Sequence, residues 1–222
     1  MAFVFDLFVG GASATMSTNI AAEAPPTKYL FIVIFLLSFM TALESVSPHR
    51  IRSFIRRQGR LTLGQKSALA DYWEHYCLTP GQCYDFAKVF TRKAPVILEI
   101  GFGNGESLAK MAIANPDKNY IGVEVHRPGI GHLLMQLEQQ KITNVRVFCH
   151  DAIEILEQCC SDQCIDGIHL FFPDPWPKQK HHKRRIVNND FIALIYRKLA
   201  NDGYFHAATD WRPYAQAILK TL

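Results

Sequence analysis

The sequence predicts an α/β protein with a doubly wound, mostly parallel sheet, and three observations carry that expectation. Five short apolar runs of strand length alternate with segments of helical periodicity from residue 96 onwards. The helical segments between the runs are crossovers, so the strands they join are parallel. The glycines, acids and prolines that a packed core does not need gather just after the runs, at the carboxyl ends where such sheets hold ligands.

Val96 to Ile100 is the first strand, ended by Gly101. Glu106 to Ala114 follows as a helix, and Tyr120 to Val125 as the second strand. Pro128 suits the first turn of the next helix, along which Leu133, Leu134 and Leu137 form an apolar stripe. Val145 to Cys149 is the third strand, Ala152 to Cys159 a helix, and Ile165 to Phe172 the fourth strand. Phe191, Leu194, Ile195 and Leu199 share one face of a helix, and Tyr204 to Ala208 is the fifth strand.

The chain has 222 residues, 49% hydrophobic and 20% charged, the composition of one globular domain with a full core, which excludes disorder as the dominant state. Cys77, Cys83, Cys149, Cys159, Cys160 and Cys164 contain no C-x-x-C pair, so neither a disulfide scaffold nor a zinc finger is expected, and no metal. They read as packing residues in a reducing, cytoplasmic protein. Net charge is +4, unevenly placed. Residues 1–39 carry only Asp6, Glu23 and Lys28, whereas two basic clusters stand further on, Arg50 to Arg60 in HRIRSFIRRQGR and Lys178 to Arg185 in KQKHHKRR. From Tyr29 to Leu43 the chain is uncharged for 15 residues, short of the roughly 20 that span a bilayer, so membrane contact is not expected. Another reading starts translation at Met40 and leaves a basic arm directly ahead of the domain.

Glu99-Ile100-Gly101-Phe102-Gly103-Asn104-Gly105 joins the first strand to its helix, and a turn without side chains lets a ligand approach the backbone. Taken alone it is equally a tight structural turn. Glu124 ends the second strand, where a carboxylate can accept from both hydroxyls of a ribose. Asp151 ends the third, placed to accept from an adenine amino group or to cap the following helix. Together the three favour an adenosine-containing cofactor, the pattern of S-adenosylmethionine (SAM) methyltransferases. The most specific stretch is Phe171-Phe172-Pro173-Asp174-Pro175-Trp176-Pro177-Lys178, in which three prolines fix a loop presenting a carboxylate, an indole and an ammonium.

From about Arg50 to its last residue the chain resembles the bacterial tRNA (guanine-N7)-methyltransferases. The resemblance rests on RSFIRRQGRLT (Arg52 to Thr62), LEIGFGNG (Leu98 to Gly105), IGVEVH (Ile121 to His126), FFPDPWPK with KRRIV (Phe171 to Val187) and ATDW (Ala208 to Trp211). It implies a Rossmann-like class I methyltransferase fold lacking its last strands, and methyl transfer from SAM to N7 of guanine 46 in the tRNA variable loop. It implies that Glu99, Gly101, Gly103, Gly105, Glu124, Asp151 and Asp174 contact SAM, with Asp174 catalytic, and that Lys178 and Asp210 contact the substrate. Lys180, Lys183, Arg184 and Arg185, with Arg56 and Arg57, would grip tRNA phosphates, while Trp176 either stacks on the flipped base or packs under its loop. The implied organisation is an extension over 1–49, a basic arm and helical lead-in over 50–95, and the SAM-dependent domain over 96–222, in a monomer.

Members of that family continue beyond the fifth strand with a helix, an antiparallel strand pair and a Thr-x-Phe-Glu-like segment that touches the guanine. With Leu222 as the last residue, the expectation is an open sheet edge, an uncovered apolar face and an incomplete guanine pocket, as in a gene fragment. The alternatives are a remnant that binds SAM or RNA without turnover, and a nicotinamide-dependent oxidoreductase, which Glu124 permits but the G-x-G-x-G spacing opposes.

Overall fold

A computed structural model describes residues 2–9, 16–18, 52–54 and 59–222. In chain order the strands are β1 (Phe3–Phe8), β2 (Met16–Thr18), β3 (Val96–Ile100), β4 (Asn119–Val123), β5 (Val145–Phe148), β6 (Ile165–Phe171) and β7 (Leu199–Thr209). The helices are α1 (Leu63–Asp71), α2 (Trp73–Tyr76), α3 (Phe86–Val89), α4 (Glu106–Ala114), α5 (Arg127–Gln139), α6 (Ala152–Gln158), α7 (Asn189–Lys198) and α8 (Arg212–Thr221), with a 3₁₀ helix over Gln179–Arg184.

The strands form one sheet in the order β2-β1-β7-β6-β3-β4-β5. From β7 to β5 every pairing is parallel, as the helical crossovers require. The order reverses between β3 and β6, which pair Leu98 with Ile168 and Glu99 with His169. That is the switch point, where the loops leaving two neighbouring strands diverge to opposite faces and open a crevice.

Both faces of the parallel strands are covered, which explains why β3 and β4 read as continuous apolar runs with every residue buried. On one face Ile97, Tyr120 and Val147 pack against Leu108 of α4 and Leu133, Leu134 and Leu137 of α5. On the other, Leu98, Ile121 and Ile168 pack against Ile155 of α6, Ile195 of α7 and Ile218 of α8. The stripe Leu133, Leu134 and Leu137 is fully buried, and Pro128 stands in the first turn of α5 as its fixed φ favours. Leu199 departs from expectation. Extended backbone there starts β7 instead of continuing α7, and the residue pairs with Ile165.

The free sheet edge expected beyond the fifth strand is covered. β1 pairs antiparallel with β7 from Phe3↔Thr209 to Phe8↔Tyr204, and β2 pairs in turn with β1. Residues 3–8, read from sequence as part of an extension ahead of the domain, are therefore a strand of its sheet. The physical reason lies in the alternation of FVFDLF: Phe3, Phe5 and Leu7 face the same core as α8, with Phe5 fully buried. Asp6 points to the opposite face and its Oδ1 pairs with His206 Nδ1 at 2.5 Å.

No helix among the described residues is long and apolar enough to cross a membrane. The apolar run 29–43 lies outside them, as do Arg50, Arg56 and Arg57. Cys77, Cys159 and Cys160 are buried, and burial pushes the Cys77 thiol up to about 12, so it packs as a hydrophobe.

Candidate active site

At the carboxyl ends of β3, β4 and β6 a cavity of about 230 Å³ opens, lined by Ile100, Gly101, Glu124, His150, Phe171, Phe172, Pro173 and Asp174, and closed by Ser53, Phe54 and Ile186. The cavity thus brings Gly101 and Glu124, from the proposed cofactor side, to the same space as Asp174. A larger depression of about 570 Å³ lies elsewhere, around Cys83, Asp85, Ser161 and Asp166, and none of the predicted site residues lines it.

The turn after β3 is built on three left-handed glycines, with φ of 73° at Gly101, 61° at Gly103 and 80° at Gly105. Gly103 donates its N–H to Glu124 Oε2 at 2.9 Å, and a Cβ added to Gly103 would meet nothing within 4 Å. The first fact ties the turn to the end of β4, and the second leaves its outer side open to a ligand. Gly129, in the first turn of α5, is required for a different reason: a Cβ there would lie 1.9 Å from the Gly103 carbonyl oxygen. Helix α5 can butt against the turn only without that atom.

Glu124 is fixed on three sides. Besides Gly103, its Oε1 accepts from Val125 N–H at 2.6 Å and His126 N–H at 3.0 Å. Two carboxylate oxygens offer about four lone-pair sites, so the group stays able to accept from a ligand without moving.

Glu99 is 2% exposed and its Oε2 has no hydrogen-bond partner. Burial alone pushes its carboxyl up to about 7, far above the usual carboxylate range. A buried polar atom left without a partner costs about 1–3 kcal/mol, a cost that a cationic or hydrogen-bond-donating ligand removes. Asp151 is buried and its Oδ1 accepts from Ile153 N–H at 2.9 Å, which caps α6. Beside it, His150 Nε2 lies 2.6 Å from Glu154 Oε2 on the cavity rim.

The proline-rich loop has two left-handed non-glycine residues, Phe172 at φ 49° and Trp176 at φ 43°, on either side of Asp174. Such backbone costs on the order of 1–3 kcal/mol per residue and persists only where the surroundings hold it. Here Arg185 holds it, donating from Nε to the Pro175 carbonyl at 2.9 Å while its guanidinium lies 4.8 Å from the Tyr214 ring centre. Arg185 is therefore buried at 8% exposure, and its expected place among the phosphate-gripping residues is corrected: the guanidinium braces the loop from below.

Trp176 is half-buried and its indole N–H donates to the Ser53 carbonyl at 3.0 Å. The Arg184 guanidinium lies 5.0 Å from its ring centre and the His181 ring 5.7 Å. These contacts hold the ring between the arm and the 3₁₀ segment. Lys178, Lys180 and Lys183 are exposed along the 3₁₀ segment, and Asp210 is exposed just after β7. Partial desolvation, followed by the cations of Lys180 and Arg184, pulls His181 below its ordinary pKa, a measure of how dense the positive charge is. Ser53, Phe54, His150 and Ile186 are the lining residues that sequence reasoning missed. The arm motif carried a signal for the first two and the KRRIV run for Ile186, whereas nothing in local pattern marked His150.

The comparison with known proteins agrees with this arrangement. A family model described as a putative methyltransferase matches residues 93–222. A tRNA (guanine-N(7)-)-methyltransferase of Methylococcus capsulatus is 53% identical over 182 residues, 82% of this chain and 79% of the relative. Enzymes of the same name from Alcanivorax borkumensis and Yersinia enterocolitica are each 51% identical, over 78% of this chain and 73% of their own lengths. At such identity across most of either length, the chain belongs to the bacterial tRNA (guanine-N7)-methyltransferase family, and it is a methyltransferase that uses SAM.

Proposed function

We propose that this chain transfers the methyl group of SAM to N7 of guanine 46 in the variable loop of tRNA. The observation that carries the reading is the single cavity in which Gly101 and Glu124 on one side meet Asp174 on the other, across the β3/β6 switch point. The relatives' printed activity supports the reaction and the base, and the resemblance of the arm and loop motifs supports the position in the tRNA.

The residues present fit SAM. Its ammonium matches the unpartnered Oε2 of buried Glu99, its ribose diol matches the fixed carboxylate of Glu124, and its chain has room beside Gly101 and Gly103, where a Cβ would meet nothing. Asp151 is the acid assigned to the adenine amino group, and Gly105 shapes the end of the turn. Bound there, SAM supplies a methyl carbon activated by its sulfonium.

Guanine N7 already carries the attacking lone pair, so no base strong enough to remove a proton is needed. Asp174 instead accepts from the guanine N–H edge, orients the ring, and offsets the positive charge the ring acquires on methylation. The strained backbone at Phe172 and Trp176 keeps that carboxylate at the mouth before substrate arrives. Lys178 and Asp210 contact the nucleotide from the loop and from the end of β7. Lys180, Lys183 and Arg184, with Arg56 and Arg57 of the arm, neutralise RNA phosphates. The unit that acts is a monomer in the cytoplasm.

The test is methyl transfer from labelled SAM to unmodified tRNA by the full chain and by its Asp174→Ala variant, with the product located by nucleoside analysis. The expected result is N7-methylguanosine at position 46, reduced at least about 100-fold by the substitution. SAM binding without any transfer would leave a cofactor-binding protein and overturn the assignment.

A further inference from the structure

We propose that Trp176 is a clasp that joins the N-terminal arm to the catalytic loop and so makes one anion-binding seam from two basic segments. The inference deepens the reading of tRNA as substrate and rests on it for the identity of the anion. Its observations are geometric. The indole N–H donates to the Ser53 carbonyl across 123 residues of sequence, and Ser53 and Phe54 are the arm residues that line the cavity holding Asp174. Trp176 occupies left-handed backbone, which a tryptophan adopts at a cost, and its N–H is held on the arm.

The charges explain what the clasp is for. Arg52 adjoins Ser53 and is exposed, while Lys178, Lys180 and Lys183 are exposed in the segment that follows Trp176, with Arg184 over the indole face. Two cationic segments repel each other, and a single neutral hydrogen bond contributes only about 1 kcal/mol to hold them together. The cation–π contact helps, because it offsets part of the charge of Arg184 against the ring face. A polyanion laid along the junction removes the remaining repulsion, so the RNA backbone tightens the arm at the moment the base enters. Trp176 is on this account a positioning residue: it acts on substrate through the arm.

The experiment compares the full chain, Trp176→Phe and Arg184→Gln. Trypsin cleavage after Arg52, followed by mass spectrometry without RNA, reports arm docking directly; methyl-transfer kinetics and SAM-induced melting shifts run in parallel. Trp176→Phe keeps the ring and loses the N–H. Cleavage after Arg52 should accelerate about fivefold and KM for tRNA rise about as much, with kcat less affected and the SAM-induced shift retained. Arg184→Gln should move cleavage in the same direction by a smaller factor, and this variant carries the test should Trp176→Phe fail to melt cooperatively. Wild-type cleavage and wild-type KM in the variants would overturn the clasp. Faster cleavage in Trp176→Phe, with no methyl transfer to tRNA by the wild type, would uphold the clasp and overturn the choice of substrate.

Discussion

Glu99 stores a conflict that its neighbours do not relieve. It lies in a cross-sheet row with His169, His206 and Asp6, in register on β3, β6, β7 and β1. The far end of the row is paired, Asp6 with His206, and His169 Nε2 lies 3.0 Å from the Tyr204 hydroxyl, yet Glu99 Oε2 and His169 Nδ1 have no partner. Burial raises the Glu99 carboxyl to about 7 and, first among several causes, lowers His169 to about 4. The signs differ. The unfolded chain ionises Glu99 near 4.5, so the stability this group contributes is fullest below that pH and is lost as pH rises to about 7. His169 acts oppositely, for its contribution is full above 6.5 and is lost as pH falls towards 4. Glu99→Gln should therefore melt above wild type at pH 8, by something on the order of 2–3 kcal/mol, and close to it at pH 4.5. Its SAM-induced melting shift should shrink at the same time, and calorimetry at the two pH values checks both.

Elements were legible where their signal was local. The five parallel strands and the helices after them follow from apolar runs and periodic stripes contained within about 15 residues, and Leu133, Leu134 and Leu137 occupy the buried positions their spacing implied. The ends of strands were legible for the same reason, and Gly101, Glu124 and Asp174, each just after a strand, line one cavity. β1 was not legible. FVFDLF is a six-residue alternating run whose partner lies some 200 positions away, and no local pattern names that partner. Arg185 was misread because a charge run hides which of its members turns inward, and only the position of the Pro175 carbonyl decides that. If β1 is a structural strand, Phe5→Ala should cost roughly 3–5 kcal/mol, as for other fully buried phenylalanines. A chain begun at Met40 should melt lower than the full chain, read by denaturant titration, because β7 would lose its antiparallel partner.

Across the whole molecule, charge is segregated along with function. Glu124 and Asp174 line the cavity, while exposed cations stand on the 3₁₀ segment and at Arg52, next to the lining residue Ser53. Under the proposed function, such a layout would position an RNA by its backbone and leave the cavity to select the base. Lys183→Ala should weaken binding to every tRNA alike, and should reduce the slope of log affinity against log salt by about one phosphate contact without changing which base is methylated. Filter binding over a salt series measures the slope, and nucleoside analysis confirms the site.

The pairing of β1 with β7 also has a consequence for how the protein comes into being. Phe3 is made 206 residues before its partner Thr209. At about 5–20 residues per second, the strand waits roughly 10–40 s before its place in the sheet exists. Synthesis in that direction leaves β1 apolar and with only the short β2 to pair with until β7 has been made. Any factor that shields nascent apolar segments would find FVFDLF within reach over that interval, because β1 can pair with β7 only after β7 has been made.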